Sequence, residues 1–339
     1  MIFEISLIVS FLTAIIITPL LIRFLGKASI VGIDQHKKNK PVLPTAGGLC
    51  VAFGILAGLL IYIGLTTFLV GVSKNVLSLL AIIASMLIIT LVGLLDDLNV
   101  RSQKFIDKNK DDIRVGLPQW IKPLLTLPAA IPLMVISAGV STIVLPFIGN
   151  VNFGILYPLL LIPIGVVGAS NAINMLGGFN GSEAGMGIVY ITALGIFALL
   201  NHNNIYIFFF IGTASLIGFI IYNWYPAKIL PGDSLTYVLG ALIASGVIVG
   251  NMEKLGVFLI MPFIIEFLLK LRSGFKASSL GKLRSDGKLD PPYGKKIYSL
   301  THLIMNIRPF TEKQVTLILV LLQTIVSVIG VYLVYFHYI

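Results

Sequence analysis

Long apolar runs alternate with short polar stretches along almost the whole chain. A helix needs roughly 20 apolar residues to span the hydrocarbon of a bilayer. Runs near that length cover residues 3–25, 46–66, 75–95, 121–140, 153–170, 185–200, 204–222, 234–250, 255–271 and 314–336. The pattern predicts an all-α polytopic membrane protein with about ten transmembrane helices, residues 1–339 forming one integral membrane domain. Loops 26–45, 96–120, 171–184, 223–233 and 272–313 then share one side, and 67–74, 141–152, 201–203, 251–254 and both termini share the other. Every Lys and Arg except Lys74 and Lys254 falls on the first side. The positive-inside rule makes that side cytoplasmic and puts both termini outside.

Composition strengthens the class without changing it. Of 339 residues, 57% are hydrophobic and 11% charged, outside the range of soluble domains. The net charge of +10 follows from the loop asymmetry and from attraction to anionic lipid or substrate, so nucleic acid is not needed as a partner. The first run, Ile5 to Leu25, is too long for a signal peptide and lacks a basic start, so it is expected to stay as a helix. A lone cysteine, Cys50, excludes a disulfide or a cysteine-based metal site within the chain. The middles of the spans carry no Asp, Lys, Arg or His, and Glu266 lies off-centre near the cytoplasmic end of the ninth. Transporters and pumps usually hold ionisable groups at membrane depth. A transporter or flippase of phosphorylated metabolites or lipids is therefore the second reading, behind an enzyme working on a lipid headgroup at one interface of the cell membrane.

The polar positions that interrupt this pattern cluster in the cytoplasmic loops. Asp96 and Asp97 are adjacent where the third span leaves the lipid, followed by Asn99 and Arg101. Carboxylates add unfavourably to the negative end of a helix, so a lysine or divalent cation should compensate them, unless they simply face water. Lys122 precedes Pro123 at the start of the fourth span and is placed either for such a partner or for interfacial snorkelling. The first loop, VGIDQHKKNKPVLPTAGG from Val31, offers Asp34, lysines and a glycine pair, as an ordinary basic loop also would. Asn171 and Asn174 share a face if the fifth helix reaches them, and Asn180 follows among Gly177, Gly178 and Gly181. Ser182 and Glu183 can cap the sixth span, and Asp233 can cap the eighth or hold a metal against a phosphate. Pro262 permits a bend in the ninth span, which is either a plain kinked helix or the border of a groove for a lipid tail. The long basic loop 272–313 contributes Lys276, Lys282, Arg284 and Lys288.

Three segments together, GLLDDLNVR, NAINMLGGFNGSEAG and YNWYPAKILPGDSLTYVLGAL, resemble the polyprenyl-phosphate N-acetylhexosamine-1-phosphate transferases (glycosyltransferase family 4). Their wording is closest to the eukaryotic and archaeal UDP-GlcNAc:dolichyl-phosphate branch, and the likeness covers nearly the whole chain. The resemblance implies transfer of N-acetylglucosamine-1-phosphate from UDP-GlcNAc to a polyprenyl (dolichyl) phosphate with release of UMP. It implies Mg²⁺, with Mn²⁺ as a substitute, held by Asn174 and Asp233, and a catalytic centre of Asp96, Asp97 and Lys122. Substrate-contacting positions would be Gly32, Ile33, Asp34, Thr45, Asn99, Asn171, Asn180, Glu183, Lys282 and Arg284, Asn180 at the uracil. Lys104 is a rival for the family lysine. The histidine cluster of the muramoyl-pentapeptide branch and the Arg-His-Arg run of the eukaryotic enzymes are absent from 272–313. Thr45 and Thr311 stand where the eukaryotic enzymes have a glutamate and a histidine. Other UDP-N-acetylhexosamines or UDP-MurNAc-pentapeptide remain alternative donors, and a homodimer remains an open assembly.

Overall fold

The computed structural model describes residues 1–72, 75–104, 117, 118, 120–145 and 149–336, without the side chains of 99–104 and 145. Among the described residues, seven helices are long and apolar enough to cross a membrane. They are α1 (Ile2–Lys27), α2 (Gly48–Leu69), α3 (Val76–Lys104), α7 (Ser182–Leu200), α8 (Tyr206–Asn223), α9 (Gly232–Gly250) and α13 (Glu312–Tyr335).

The other three apolar runs form broken helices. Residues 121–140 become α4 (Ile121–Thr126), a 3₁₀ turn over Leu127–Ala130 and α5 (Ile131–Val135). Residues 153–170 become a π turn over Tyr157–Leu161 followed by α6 (Ile162–Ile173). Residues 255–271 become α10 (Glu253–Leu259) and α11 (Met261–Leu271). Proline accounts for the breaks, since it removes an N–H and crowds the preceding turn. Pro123, Pro128, Pro132, Pro158, Pro163 and Pro262 lie within or next to the interruptions.

Two sequence expectations are corrected. Helix α3 continues beyond Leu95 to Lys104, because DDLNVRSQK contains no glycine or proline to stop it. Asp96 and Asp97 therefore lie inside a helix, and the helix-end repulsion expected for them does not arise. The fold is also not purely helical, for three small antiparallel sheets sit in the loops among the described residues. β1 (Val31–Ile33) pairs with β2 (Val42–Pro44), and β3 (Thr142–Leu145) with β4 (Gly149–Asn152). β5 (Lys282–Leu283), β6 (Lys288–Asp290) and β7 (Phe310–Thr311) form the third. Short pairs of this kind satisfy the backbone polar groups of loops that fold back on the helices.

Helix α9 is the axis of the fold. In its most apolar stretch 83% of residues are buried, against 22% in α1 and in α13, which lie at the periphery. α9 packs on α3, α6 and α2, while α1 packs on α2 and α8, and α7 on α8 and α13.

The long loop is anchored rather than loose. Fully buried Glu266 of α11 accepts hydrogen bonds from the Leu300 N–H (2.8 Å), Ser299 Oγ (3.0 Å) and Ser279 Oγ (3.3 Å). Lys270 Nζ donates to the Ala277 carbonyl at 2.7 Å. His302, in α12 (Leu300–Ile307), is buried, with Nε2 2.9 Å from the Ser278 carbonyl and Nδ1 accepting the Tyr298 N–H at 3.2 Å. Burial pushes its imidazole down from 6.5 to about 4. The unfolded segment therefore takes up a proton before the folded one does, and stability falls as pH falls through that window. Limited proteolysis within 272–313 is expected to accelerate between about pH 6.5 and pH 4, and an unchanged rate would contradict this anchoring.

Candidate active site

The site forms where the start of α9 meets α3 and α4. Two glycines permit the approach. A Cβ at Gly93 would lie 2.4 Å from Ser234 Cα, and one at Gly48 would lie 2.2 Å from the Ser234 carbonyl carbon. Four residues after Gly93, on the same face of α3, the buried Asp97 carboxylate accepts the N–H groups of Asp233 (2.8 Å) and Ser234 (3.1 Å). These are among the donors that a helix leaves unpaired at its N-terminus, where the helix dipole also favours negative charge. Asp97 is thus the cap of α9, supplied by another helix, and the expectation that Asp233 caps its own helix is replaced. Gly93→Ala must push the first turn of α9 away. Turnover is expected to drop by at least about tenfold, and a variant with wild-type kinetics would show that the close approach is dispensable.

Asp96 turns to a different partner. It is fully buried, with Oδ2 2.7 Å from Lys122 Nζ and Oδ1 accepting the Leu117 N–H at 2.8 Å. The Tyr237 hydroxyl donates to Asp96 Oδ2 at 3.4 Å. Lys122 Nζ also lies 2.8 Å from Asp233 Oδ2, so one ammonium bridges carboxylates from α3 and α9. The sequence expectation that Lys122 has an aspartate partner holds, and snorkelling to the interface does not describe it. Asn171 Nδ2 donates to Thr126 Oγ1 at 3.2 Å, tying α6 to the helix that carries Lys122. Helix α6 ends at Ile173 and Asn174 is its C-cap, with Oδ1 accepting from Thr236 Oγ1 at 2.7 Å. Asn174 therefore reaches the first turns of α9 from the far side.

Two carboxyl groups bracket one lysine here and a third caps the adjoining turn of α9, which makes the site rich in the hard oxygen donors that suit a cation. Among the described residues, no group of three or more His, Cys, Asp or Glu could hold a metal ion. Magnesium is bound in another way, through one or two carboxylates with waters and substrate phosphates, all hard oxygen donors. Asp233, whose side chain is 28% exposed, and the amide oxygen of Asn174 fit that pattern. Asp96 and Asp97 are the more enclosed carboxylates.

The remaining sequence candidates divide. Gly32 and Ile33 are in β1, where a Cβ at Gly32 would meet Leu230 at 2.6 Å. Thr45 follows β2, its N–H bonded to the Ile30 carbonyl at 3.1 Å. Leu230 donates its N–H to the Pro44 carbonyl at 2.8 Å, so the first loop packs on the segment leading into α9. Asp34 and Asn180 meet directly, Nδ2 to Oδ2 at 3.0 Å. Glu183 braces its own turn, accepting from the Gly178 N–H (2.8 Å) and Ser182 Oγ (2.6 Å). Lys282 and Arg284 are on the β5–β6 hairpin, where Arg284 pairs with Asp286 (3.4 Å) and Asp290 (3.5 Å); neither is paired with the Asp96–Lys122–Asp233 group. The Asn99 and Lys104 side chains lie outside the described residues. Sequence reasoning passed over Tyr237, Thr236 and Glu312. For Glu312 a signal existed in the capping box that Thr311 and Gln314 form around it.

Comparison with known proteins gives the family. The model of glycosyl transferase family 4 matches residues 79–251, a segment that contains Asp96, Asp97, Lys122, Asn174 and Asp233. The chain belongs to glycosyl transferase family 4. A Saccharolobus solfataricus protein, provisionally named a UDP-N-acetylglucosamine–dolichyl-phosphate N-acetylglucosaminephosphotransferase, is 39% identical over 332 residues, 96% of this chain and 95% of its own. The Dictyostelium discoideum protein of that name is 25% identical over 362 residues, 92% of this chain and 83% of its own. A phospho-N-acetylmuramoyl-pentapeptide-transferase of Shouchella clausii is 31% identical over 277 residues, 77% of this chain and 79% of its own. Family 4 membership and the apolar helices together make this a multi-pass membrane glycosyl transferase.

Proposed function

We propose that this family 4 enzyme transfers N-acetylglucosamine-1-phosphate from UDP-GlcNAc to a polyprenyl (dolichyl) phosphate at the cytoplasmic face of the cell membrane, releasing UMP. The observation that carries the reading is Lys122 held between Asp96 and Asp233 at the polar ends of α3 and α9. The full-length similarity to proteins named for this activity supports the choice of donor and acceptor. A ten-span topology, counting the three broken helices, supports the placement: nearly all the basic residues share the side of this site.

The physical demand of the reaction is to bring two anions together. An oxygen of the lipid phosphate attacks the sugar-bearing phosphorus, a new P–O bond forms, and the P–O bond to UMP breaks. A phosphate monoester has its second pKa at about 6 and is chiefly a dianion at neutral pH, so no proton has to be removed from the nucleophile. Catalysis of such a step is mainly positioning and charge neutralisation. The Lys122 ammonium supplies fixed positive charge beside the reacting phosphates, and Asp96 holds it in place. Asp97 sets the first turn of α9, which aims Asp233. Magnesium, or manganese in its place, would be held by Asp233 and Asn174, and when bound it neutralises the donor pyrophosphate and the UMP leaving group. Asn180 stands at the uracil, with the β1–β2 hairpin beside it.

UMP release by the purified protein tests this. It is expected only with UDP-GlcNAc and polyprenyl phosphate together, to stop on chelation and to return with Mg²⁺ or Mn²⁺. Release without the lipid, or a preference for UDP-MurNAc-pentapeptide in a donor panel, would contradict the assignment.

A further inference from the structure

Helix α12 is apolar on its outward side as well as its inward one. Leu300, Ile304 and Met305 are buried together with the polar Thr301 and His302. Thr301 Oγ1 donates to the Ser279 carbonyl at 2.6 Å, and the His302 ring meets the Ser278 carbonyl. Leu303 and Ile307 point away from these contacts, 46% and 74% exposed. Four residues apart, they share one face of the helix. A helix that packs on a protein and faces water carries its polar stripe outward, whereas this one spends polar groups inside and shows leucine and isoleucine outside.

The depth of α12 says what covers that face. Glu266 of α11 accepts from the Leu300 N–H and Ser299 Oγ, so α12 starts beside it. Glu266 lies five residues before Leu271, the last residue of α11, a distance of about 7–8 Å along the axis. Phe267, Leu268 and Leu271 in that final stretch are exposed, and on a helix of a membrane protein such side chains meet lipid. The start of α12 is therefore at a level where lipid still surrounds the protein, and the helix packs on both α11 and α13.

The charges at this level have one sign on the outside. Arg272 directly follows α11, Arg308 directly follows α12 and Lys313 lies in the first turn of α13; all three are exposed. The acidic residues of the same helix ends, Glu266 and Glu312, are buried. The Arg308 guanidinium sits 4.7 Å from the Phe310 ring centroid. An apolar helix face rimmed by basic side chains is the pattern of a helix lying in a membrane interface, where the cations meet anionic headgroups.

We propose that α12 lies in the surface of the membrane that this protein spans, with Leu303 and Ile307 among the lipid chains and Arg272, Arg308 and Lys313 on the phosphates of anionic headgroups. The lipid then holds segment 272–313 from outside, while Glu266, Lys270 and His302 hold it from within.

A nitroxide on Ile307→Cys, in full-length protein in lipid nanodiscs, tests this. The native Cys50 is buried, so the label goes to the new thiol. Oxygen, which partitions into lipid, is expected to relax the label more than a water-soluble nickel chelate does. A label on Asp286→Cys, in the turn between β5 and β6, is expected to show the reverse order. Replacing anionic by zwitterionic lipid should raise nickel access at 307, and Arg308→Gln should remove most of that lipid dependence. In the Leu303→Gln/Ile307→Gln variant, protease cleavage within 272–313 is expected to rise by at least about tenfold, the scale of withdrawing two large apolar side chains from an apolar environment. Glutamine is at least as good a helix former as isoleucine and close to leucine, so a water-facing α12 would be cleaved no faster. Nickel access at 307 matching that at 286, equal access in the two lipid mixtures, or cleavage of the variant at the wild-type rate overturns the proposal. So does spin–spin broadening at 307 that vanishes on dilution with unlabelled protein, which would make a second copy of the chain the covering partner.

Discussion

Lys122→Met is expected to lower turnover by at least about a hundredfold, the scale seen when one preorganised charge-stabilising donor is removed from an active site. The lysine is the one cation within 3 Å of both Asp96 and Asp233 among the described residues. Without it, two carboxylates face each other across the entry of two further anions. The same change should cost stability, because breaking a buried ion pair from one side typically costs about 3–5 kcal/mol. The cost falls mainly on fully buried Asp96, because Asp233 is 28% exposed and partly screened. A second substitution separates the two effects. Adding Asp233→Asn to Lys122→Met removes the more exposed of the two carboxylates that Lys122 bridged, with the fully buried Asp96 remaining, and should recover part of the melting temperature while activity stays absent. Recovery of activity in the double variant would show that Lys122 serves only to neutralise Asp233.

Asp97→Asn is expected to lose both turnover and stability. The family resemblance makes Asp97 a member of a catalytic centre, and its surroundings add a structural role to that expectation. Both of its oxygens accept backbone N–H groups at the start of α9. An asparagine keeps one acceptor and turns an NH₂ toward the other donor, leaving a buried N–H without a partner at a cost of about 1–3 kcal/mol. Asp233 and Ser234 shift with the uncapped turn, which moves the metal-facing carboxylate. Melting temperature and kcat should fall together. A kcat loss at unchanged melting temperature would assign Asp97 to the chemistry itself.

How much could be read from the chain follows from the range of each interaction. The seven long spans were legible because hydropathy is summed locally over about 20 residues. Asp96, Lys122 and Asp233 could be expected on one side because each sits at the same end of its span. Their bridging geometry depends on how α3, α4 and α9 pack, which no local pattern carries. The Asp97 cap on α9 joins positions 136 residues apart, and the approach that makes it possible needs Gly93 and Gly48 to meet Ser234 from two other helices. The same reason hid the contact between Lys37 and Glu312, which are 275 residues apart. Lys37 reads locally as one more basic residue of a cytoplasmic loop. Pro262 allowed for a bend in the ninth run, but the breaks in the runs at 121–140 and 153–170 were not read from the sequence, and whether a break becomes a 3₁₀ turn, a π turn or a clean interruption is decided by packing.

The most direct test of the central claim follows a donor labelled in its sugar-bearing phosphate through a single turnover with polyprenyl phosphate and Mg²⁺. The account predicts that the label moves into the organic-soluble lipid with the wild type, that none of it becomes bound to the protein, and that it stays in the aqueous phase with Asp233→Asn. Label trapped on the protein before the lipid is added, or lipid labelled at the wild-type rate by Asp233→Asn, would contradict it.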